Sequence, residues 1–153
     1  QEPDPMPRNL SVSDVQSTIK TAIQESAYRL PADYLAAMAD AEARETSDVG
    51  HIILHTLREN FDFAESEQIP TCQDTGMAVI HMAVGQNIHF VDGDLNTAIA
   101  SGVRDAYVNL RKSVINDPLI RENTGDNTPP IVHYEIVAGD AVTITIMMKG
   151  FWG

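Results

Sequence analysis

The stretch PTCQDTGMAVIHMAV, residues 70–84, joins a polar turn to an apolar run rich in β-forming residues. Gly76 and Gly85 bound the run, and its length is typical of a strand buried in a sheet. Cys72, the only cysteine of the chain, lies in the turn directly before this strand. The stretch therefore predicts a buried strand that is preceded by a single thiol among polar neighbours.

Helical periodicity dominates the residues before this strand. Ser11 and Asp14 form an S-x-x-D capping box, and apolar residues recur at helical spacing through residues 12–30. Pro31 suits the first turn of a second helix, and Ser47 is a residue type that caps a third. The sequence thus predicts a layer of three helices.

After the first strand the pattern alternates between strands and turns. Residues 88–91 predict a second short strand, and Asp94 caps a helix that we expect to run to about Lys112. Residues 113–130 form an irregular loop of a length that is usually functional or disordered. Two β-prone runs within residues 131–148 follow, joined by a short turn, and they predict an antiparallel hairpin.

These elements predict an α+β fold, in which an N-terminal helical layer packs on a small mixed sheet with a C-terminal antiparallel hairpin. The chain has 153 residues and 43% hydrophobic content, which suits one packed domain. We expect that single domain over residues 11–153, after a flexible, proline-rich lead-in over residues 1–10.

Composition excludes several classes of partner. A net charge of −12 argues against nucleic acid, whose binding is driven by lysine and arginine. No apolar run reaches the roughly 20 residues that a membrane-spanning helix needs, so we expect no membrane partner. An acidic protein that binds an anion needs its few cations in one place, and Arg111, Lys112 and Arg121 are the candidates.

The single cysteine permits no internal disulfide, which favours a reducing compartment and a cytoplasmic location. Cys72 has hydrogen-bonding neighbours on both sides, whereas a structural cysteine usually sits within an apolar run. From the residues alone it is either a ligand or reactive thiol, or an ordinary loop cysteine. Nothing else in the sequence supports a cysteine protease.

A series of short motifs resembles the N-terminal region of class I fumarases and of the tartrate dehydratase alpha subunit. The motifs are CQDTG (72–76), LRKSV (110–114), DPL (117–119), ENTGDNTPPIVHYEIVAGD (122–140) and MKG (148–150). Each motif is weak by itself, but their order and spacing match together over residues 11–150, and the combination is highly specific.

The resemblance implies a hydro-lyase that uses a 4Fe-4S cluster, held by three cysteines, whose open iron acts as a Lewis acid on a 2-hydroxy dicarboxylate such as malate. It implies that Cys72 is the first cluster ligand. Gln73 and Asp74 then take catalytic and substrate-binding roles, through hydrogen bonds to substrate oxygens or to a metal-bound hydroxyl. Arg111 is similar to an arginine that grips a substrate carboxylate, although its position also suits a solvent-exposed cation at a helix C-terminus.

Two further cluster cysteines are expected downstream in the family, so we expect this chain alone to be inactive and without its cluster. Its partners would be a missing C-terminal region or a beta subunit, and the parent enzyme is expected to be a homo-oligomer. Tartrate dehydratase alpha subunit, or a non-catalytic binding or assembly module that kept the fold, are the alternatives. Phe151 and Trp152 stand where relatives usually continue with glycines that bring backbone amides to the substrate.

Overall fold

The computed structural model describes residues 6–150, and its fold is α+β, as predicted. The described chain divides into two compact units, one made of residues 6–24 and 74–150, the other of Glu25–Gln73. The single domain over residues 11–153 stays a prediction, and the departure at Trp152 lies outside the described residues. Within residues 6–150, no helix is both long enough and apolar enough to span a bilayer.

The elements follow one another as strand, three helices, two strands, helix and two strands. In chain order they are β1 (Arg8–Ser11), α1 (Val12–Tyr28), α2 (Ala32–Arg44), α3 (Asp48–Glu67), β2 (Met77–Gly85), β3 (Ile88–Val91), α4 (Leu95–Ala106), a 3-10 turn (Tyr107–Asn109), β4 (Ile131–Val137) and β5 (Val142–Lys149).

The main sheet has β2 as its central strand. Its order is β4-β2-β5, with β4 parallel and β5 antiparallel to β2. The sheet is mixed, as expected, but the predicted hairpin between the last two strands is wrong, because β2 lies between them. The link from β4 to β5 crosses the end of β2, where Gly85 N donates to Ala141 O at 2.8 Å. A side chain at Gly85 would meet Gly139 O at 2.5 Å, so the crossing requires glycine there.

A second, two-stranded sheet pairs β1 with β3 in parallel. Arg8 N donates to Asn87 O at 2.8 Å, and the Arg8 guanidinium donates to Asp140 O at 3.0 Å. The expected flexible lead-in is therefore wrong for residues 8–10, which are ordered as a strand. The segment is ordered because its backbone pairs with β3, which lies about 80 residues further along the chain.

The hydrophobic core of the first unit lies on one face of β2 and between helices. Alternate residues of β2 are buried, and they are Ala78, Ile80, Met82 and Val84. Buried residues of α1 and α4 recur at helical spacing, including Ile19, Ile23, Ile99 and Val103. These two helices approach closely at Gly102, where a Cβ atom would lie 2.6 Å from the carbonyl oxygen of Gln16. Their spacing therefore depends on a residue without a side chain.

The second unit contains α2 and α3, which pack on each other through an edge contact between Tyr34 and Phe61. Ser47 caps α3 as predicted, accepting a hydrogen bond from Gly50 N at 3.3 Å. An ion pair between Arg29 and Glu65, 2.6 Å apart, joins the segment after α1 to the last turns of α3.

We predict that Gly102→Ala destabilises the protein, although alanine favours an isolated helix by about 1 kcal/mol. The added methyl group must displace the backbone of α1 at Gln16, which we expect to cost about 1–3 kcal/mol net. Urea unfolding measures the difference. Ser101→Ala on the same helix is the control and should be neutral or stabilising. A more stable Gly102→Ala variant would contradict the close packing.

Candidate functional site

The segment that carries the cysteine is tied to the second unit by its backbone. Thr71 N donates to Ala27 O at 3.0 Å, and Asn60 donates to Thr71 O at 3.5 Å. Cys72 follows with its side chain exposed, and its sulfur lies 3.9 Å from Gln73 Oε1. The thiol is therefore accessible to a metal and is not sealed within the core.

Asp74 begins the next segment of the first unit, and its carboxylate is held in a defined orientation. Its Oδ1 accepts hydrogen bonds from Gly76 N at 3.0 Å and from Ser113 Oγ at 3.4 Å. The backbone of Gly150 lies against the other oxygen, because a Cβ there would be 2.7 Å from Oδ2. The glycine of the MKG motif therefore leaves room for this carboxylate.

The backbone of Arg111 is held by a hydrogen bond from Thr75, which lies between Asp74 and Gly76. Thr75 Oγ1 donates to Arg111 O at 2.5 Å, and the buried Tyr107 hydroxyl donates to Thr75 O at 2.9 Å. Burial raises the pKa of Tyr107 to about 12, so the phenol stays a neutral donor. The helix predicted to reach Lys112 ends at Ala106 instead, since Tyr107 turns into the core. Arg111 therefore lies beyond the last turn of α4, although it is exposed to solvent, as the alternative interpretation expected.

Asn127 joins three parts of the site through one fully buried amide. Its Oδ1 accepts from Ser113 N at 2.6 Å and from Val114 N at 3.0 Å, and its Nδ2 donates to Gly76 O at 3.0 Å. Its backbone is left-handed, with φ of 63°, a conformation that asparagine adopts more readily than most residues. Asn127 thus fixes the end of the NTGDN segment against the start of β2 and the residues after Lys112.

Asp126, next to this amide, organises the turn before β4. It accepts from Thr128 Oγ1 at 2.7 Å and from Thr128 N at 3.0 Å, and Arg104 Nε lies 3.1 Å from its other oxygen. The hydroxyl of Thr128 is the main reason that the pKa of Asp126 falls to about 2, with the Thr128 amide and Arg104 adding to it. The carboxylate therefore stays charged at neutral pH.

A cavity of about 720 Å³ opens beside Asp74 and Arg111, and we call it the arginine cavity. Its lining residues are Asp74, Met77, Arg111, Lys112, Ser113, Val114, Ile115, Arg121 and Asn123. Among residues 6–150, the guanidinium groups of Arg111 and Arg121 have no hydrogen-bond or ion-pair partner, while Lys112 Nζ donates to Val108 O at 2.8 Å. Two unpaired cations facing one cavity are suited to an anion.

The structure brings together two of the four predicted site residues, Asp74 and Arg111, in the arginine cavity. Cys72 and Gln73 belong to the second unit. The sequence analysis missed Ser113 as part of the site. The composition of NTGDNTPP is typical of a loop whose turns are fixed by residues such as Asn127, and it left open whether that loop shapes a pocket. It gave no signal that the Asn127 side chain is fully buried.

Metal ligands are incomplete in the described part of the chain. No group of three or more histidine, cysteine, aspartate or glutamate side chains within residues 6–150 is arranged to hold an ion. The exposed thiol of Cys72 fits one ligand position of a cluster. The chain contains no second cysteine, so its own residues do not complete a cluster site.

The fold is α+β. Asp74 and two arginines without a partner among residues 6–150 line one cavity, and the exposed Cys72 precedes Asp74 in the sequence. Residues 16–153 match the family model described as fumarate hydratase (Fumerase). The chain therefore belongs to the family of class I fumarate hydratases and L(+)-tartrate dehydratase alpha subunits, and it corresponds to their N-terminal part.

Relatives of both names are similar to this chain. The putative L(+)-tartrate dehydratase subunit alpha of Methanocaldococcus jannaschii is 34% identical over 77% of this chain and 41% of its own length. The aerobic class I fumarate hydratase of Escherichia coli K12 is 39% identical over 74% of this chain and 21% of its own length. An L(+)-tartrate dehydratase subunit alpha of Escherichia coli is 33% identical over 80% of this chain and 42% of its own length. The chain thus spans less than half of each relative.

We predict that Asn127→Gly destabilises the protein by about 3 kcal/mol. Glycine adopts the left-handed backbone without strain, so the lost stability reports only the three side-chain hydrogen bonds and the buried groups that their removal leaves without partners. Unfolding in denaturant measures the change in the free energy of unfolding. The matched change Asn109→Gly, at an exposed position of the 3-10 turn, should cost less than about 1 kcal/mol. Equal losses at both positions would argue against the role of the buried amide.

Acid should weaken the protein through Asp126. Its folded pKa is lowered from 3.8 to about 2, so the unfolded state binds the proton first, and stability is lost as pH falls from about 4 to about 2. In Asp126→Asn the free energy of unfolding should therefore depend less on pH between about 4 and about 2. Unfolding in urea at several pH values tests this, with Glu67→Gln as a charge-matched control. An unchanged slope in Asp126→Asn would contradict the assignment.

Proposed function

We propose that this chain supplies part of the active site of a hydro-lyase that reversibly dehydrates a 2-hydroxy dicarboxylate, with malate to fumarate as the leading reaction. The observation that supports it most is the unpaired guanidinium of Arg111 in the same cavity as the oriented carboxylate of Asp74. A planar guanidinium holds a carboxylate by two parallel hydrogen bonds, which fixes the substrate as well as binding it.

The roles of the polar residues follow from their hydrogen-bonding capacity. Arg111 binds one carboxylate of the substrate, and Asp74 accepts a hydrogen bond from the substrate hydroxyl. Gly76 N and Ser113 orient Asp74 for that contact. Gln73, whose amide both donates and accepts, is proposed to bind substrate oxygens. Holding the substrate in one orientation lowers the entropic part of the barrier.

Cys72 is proposed as one ligand of a 4Fe-4S cluster, and the exposed thiol is consistent with that role. When bound, such a cluster supplies a Lewis acid that stabilises the departing hydroxide. The other thiolates would come from a C-terminal region or a beta subunit. A single thiolate does not hold a cubane, so we expect the 153-residue chain alone to be inactive.

Tartrate dehydration is the second candidate, because two of the relatives above are named as alpha subunits of L(+)-tartrate dehydratase. That name implies a beta subunit as partner for those proteins, and we extend it to this chain as part of the proposal. A reducing compartment such as the cytoplasm is consistent with the single thiol. We also propose that the parent enzyme is a homo-oligomer, the commonest form of soluble assembly. A module that kept the fold without catalysis is the remaining alternative.

The test is anaerobic reconstitution of the full-length gene product with iron and sulfide. We expect a broad brown absorption band together with dehydration of malate or tartrate. Cys72→Ser should lose the band and lower kcat by about 10³-fold or more, because several kcal/mol of Lewis-acid stabilisation are removed.

Ser17→Ala, at an exposed position of α1, is the control and should retain both signals. Colourless full-length protein, or a Cys72→Ser variant with full absorbance and activity, would contradict the proposal. Absorbance without dehydration of either acid would support the non-catalytic module.

A further inference from the structure

One face of the main sheet is left uncovered by residues 6–150. Because side chains alternate between the two faces of a strand, the odd-numbered residues of β2, β4 and β5 share one face and the even-numbered residues share the other. On the odd-numbered face Ile131 is 41% exposed and Met147 is 61% exposed. The side chain of His81 is 48% exposed, although His81 lies on the central strand. We call this surface the open face.

The opposite face of the sheet is covered by α1 and α4. The Tyr134 hydroxyl on β4 donates to Asn96 Oδ1 of α4 at 2.5 Å. Val142 and Ile144 of β5 line a small cavity together with Val15 of α1. The even-numbered residues of β2 are buried as well. The two faces of the same three strands are therefore in different surroundings.

The parallel pairing of β2 with β4 favours a cover on both faces. Parallel strands occur almost only in sheets whose two faces are buried, because their crossover connections place helices there. In this protein the crossover from β2 to β4 contains α4, which lies on the even-numbered face. The crossover therefore leaves the open face to another part of the protein.

The open face has the composition of a surface that packs against protein. Val79 on β2 is in register with Ile131 on one side and with Met147 on the other, so an apolar row crosses the sheet. Among residues 6–150, the ionisable residues of this face are His81, His133, Glu135 and Lys149. With neutral histidines they carry no net charge, whereas the chain carries −12. An apolar centre with little charge around it is typical of a buried interface.

The relatives indicate which part of the protein reaches this face. The two L(+)-tartrate dehydratase alpha subunits match this chain over 41% and 42% of their own length, in their N-terminal part. More than half of each of those polypeptides therefore follows the matched region, without counting a beta subunit. A segment of the same polypeptide also avoids the loss of translational and rotational freedom that a separate partner incurs on binding.

We propose that the open face is the docking surface for the region that follows residue 153 in the parent polypeptide. The apolar side of that region packs on the row of Val79, Ile131 and Met147, and the sheet then has a cover on both faces. This inference rests on the part of the proposed function that makes the chain a portion of a larger enzyme. It does not depend on the reaction that the enzyme catalyses.

Oxidation of methionine tests this cover without a change of sequence. The 153-residue chain and the full-length gene product are each treated with chloramine-T, and sulfoxide formation at Met147 is followed by mass spectrometry. We expect Met147 to react about tenfold or more slowly in the full-length protein, because oxidation follows exposure. Met6, which is 90% exposed, should react equally in both proteins, and the buried Met82 should resist oxidation in both.

A substitution at the same position gives an independent measurement. Met147→Glu should lower the thermal unfolding temperature of the full-length protein by about 5 °C or more, because a charge would be buried there. In the 153-residue chain the side chain is exposed, so the shift should stay below about 2 °C. Ile136→Glu, at a 70% exposed position on the even-numbered face of β4, is the control and should have the same effect in both proteins.

Equal oxidation of Met147 in the two proteins would overturn the inference, and so would a gene that ends at Gly153. Protection that appears in the 153-residue chain as its concentration rises would make a second copy the occupant, and protection that requires an added beta subunit would make that subunit the occupant. Either result overturns the inference. Because oxidation needs neither cluster nor turnover, protection of Met147 in a full-length protein that dehydrates neither malate nor tartrate would refute only the proposed reaction.

Discussion

The buried amide of Asn127 is the constraint on which the site depends. Its hydrogen bonds connect the start of β2, through Gly76 O, to the amides of Ser113 and Val114. Those are the segments that carry Asp74 and Arg111. A buried amide without partners is costly, so the three segments are stable only when they are assembled together. The geometry of the cavity follows from satisfying one side chain in the core.

Local signals in the sequence predicted the elements that local physics determines. Ser47 and Asp94 were identified as helix caps, and the structure shows their side chains accepting hydrogen bonds from Gly50 N and Thr97 N. The apolar run of β2 and the short strand β3 were also predicted. For the two caps the stabilising contact lies within a few residues along the chain, and for the two strands the composition of the run itself was a sufficient signal.

Contacts between distant segments decided the features that the sequence analysis did not predict. Residues 8–10 became a strand because β3 offers a parallel partner, and the last two strands were separated because β2 pairs with both. The end of α4 was set by Tyr107, whose hydroxyl bonds to Thr75 O. In the site, the motif CQDTG identified the residue types, but the burial of Asn127 and the cavity depend on packing that no short pattern records.

The arrangement of charge explains how an acidic protein can present an anion site. Within residues 6–150 most carboxylates are exposed to solvent, where their repulsion of a dianion is screened beyond roughly 8–10 Å at physiological salt. Arg111 and Arg121 are exposed as well, so they attract an anion mainly at close range, where salt screens the attraction least. Pairing Arg111 or Arg121 with a fixed carboxylate would cancel this attraction. Within residues 6–150 neither guanidinium group has such a partner, so the charge of both stays available to an anion, whereas Arg29, Arg44, Arg58 and Arg104 pair with carboxylates.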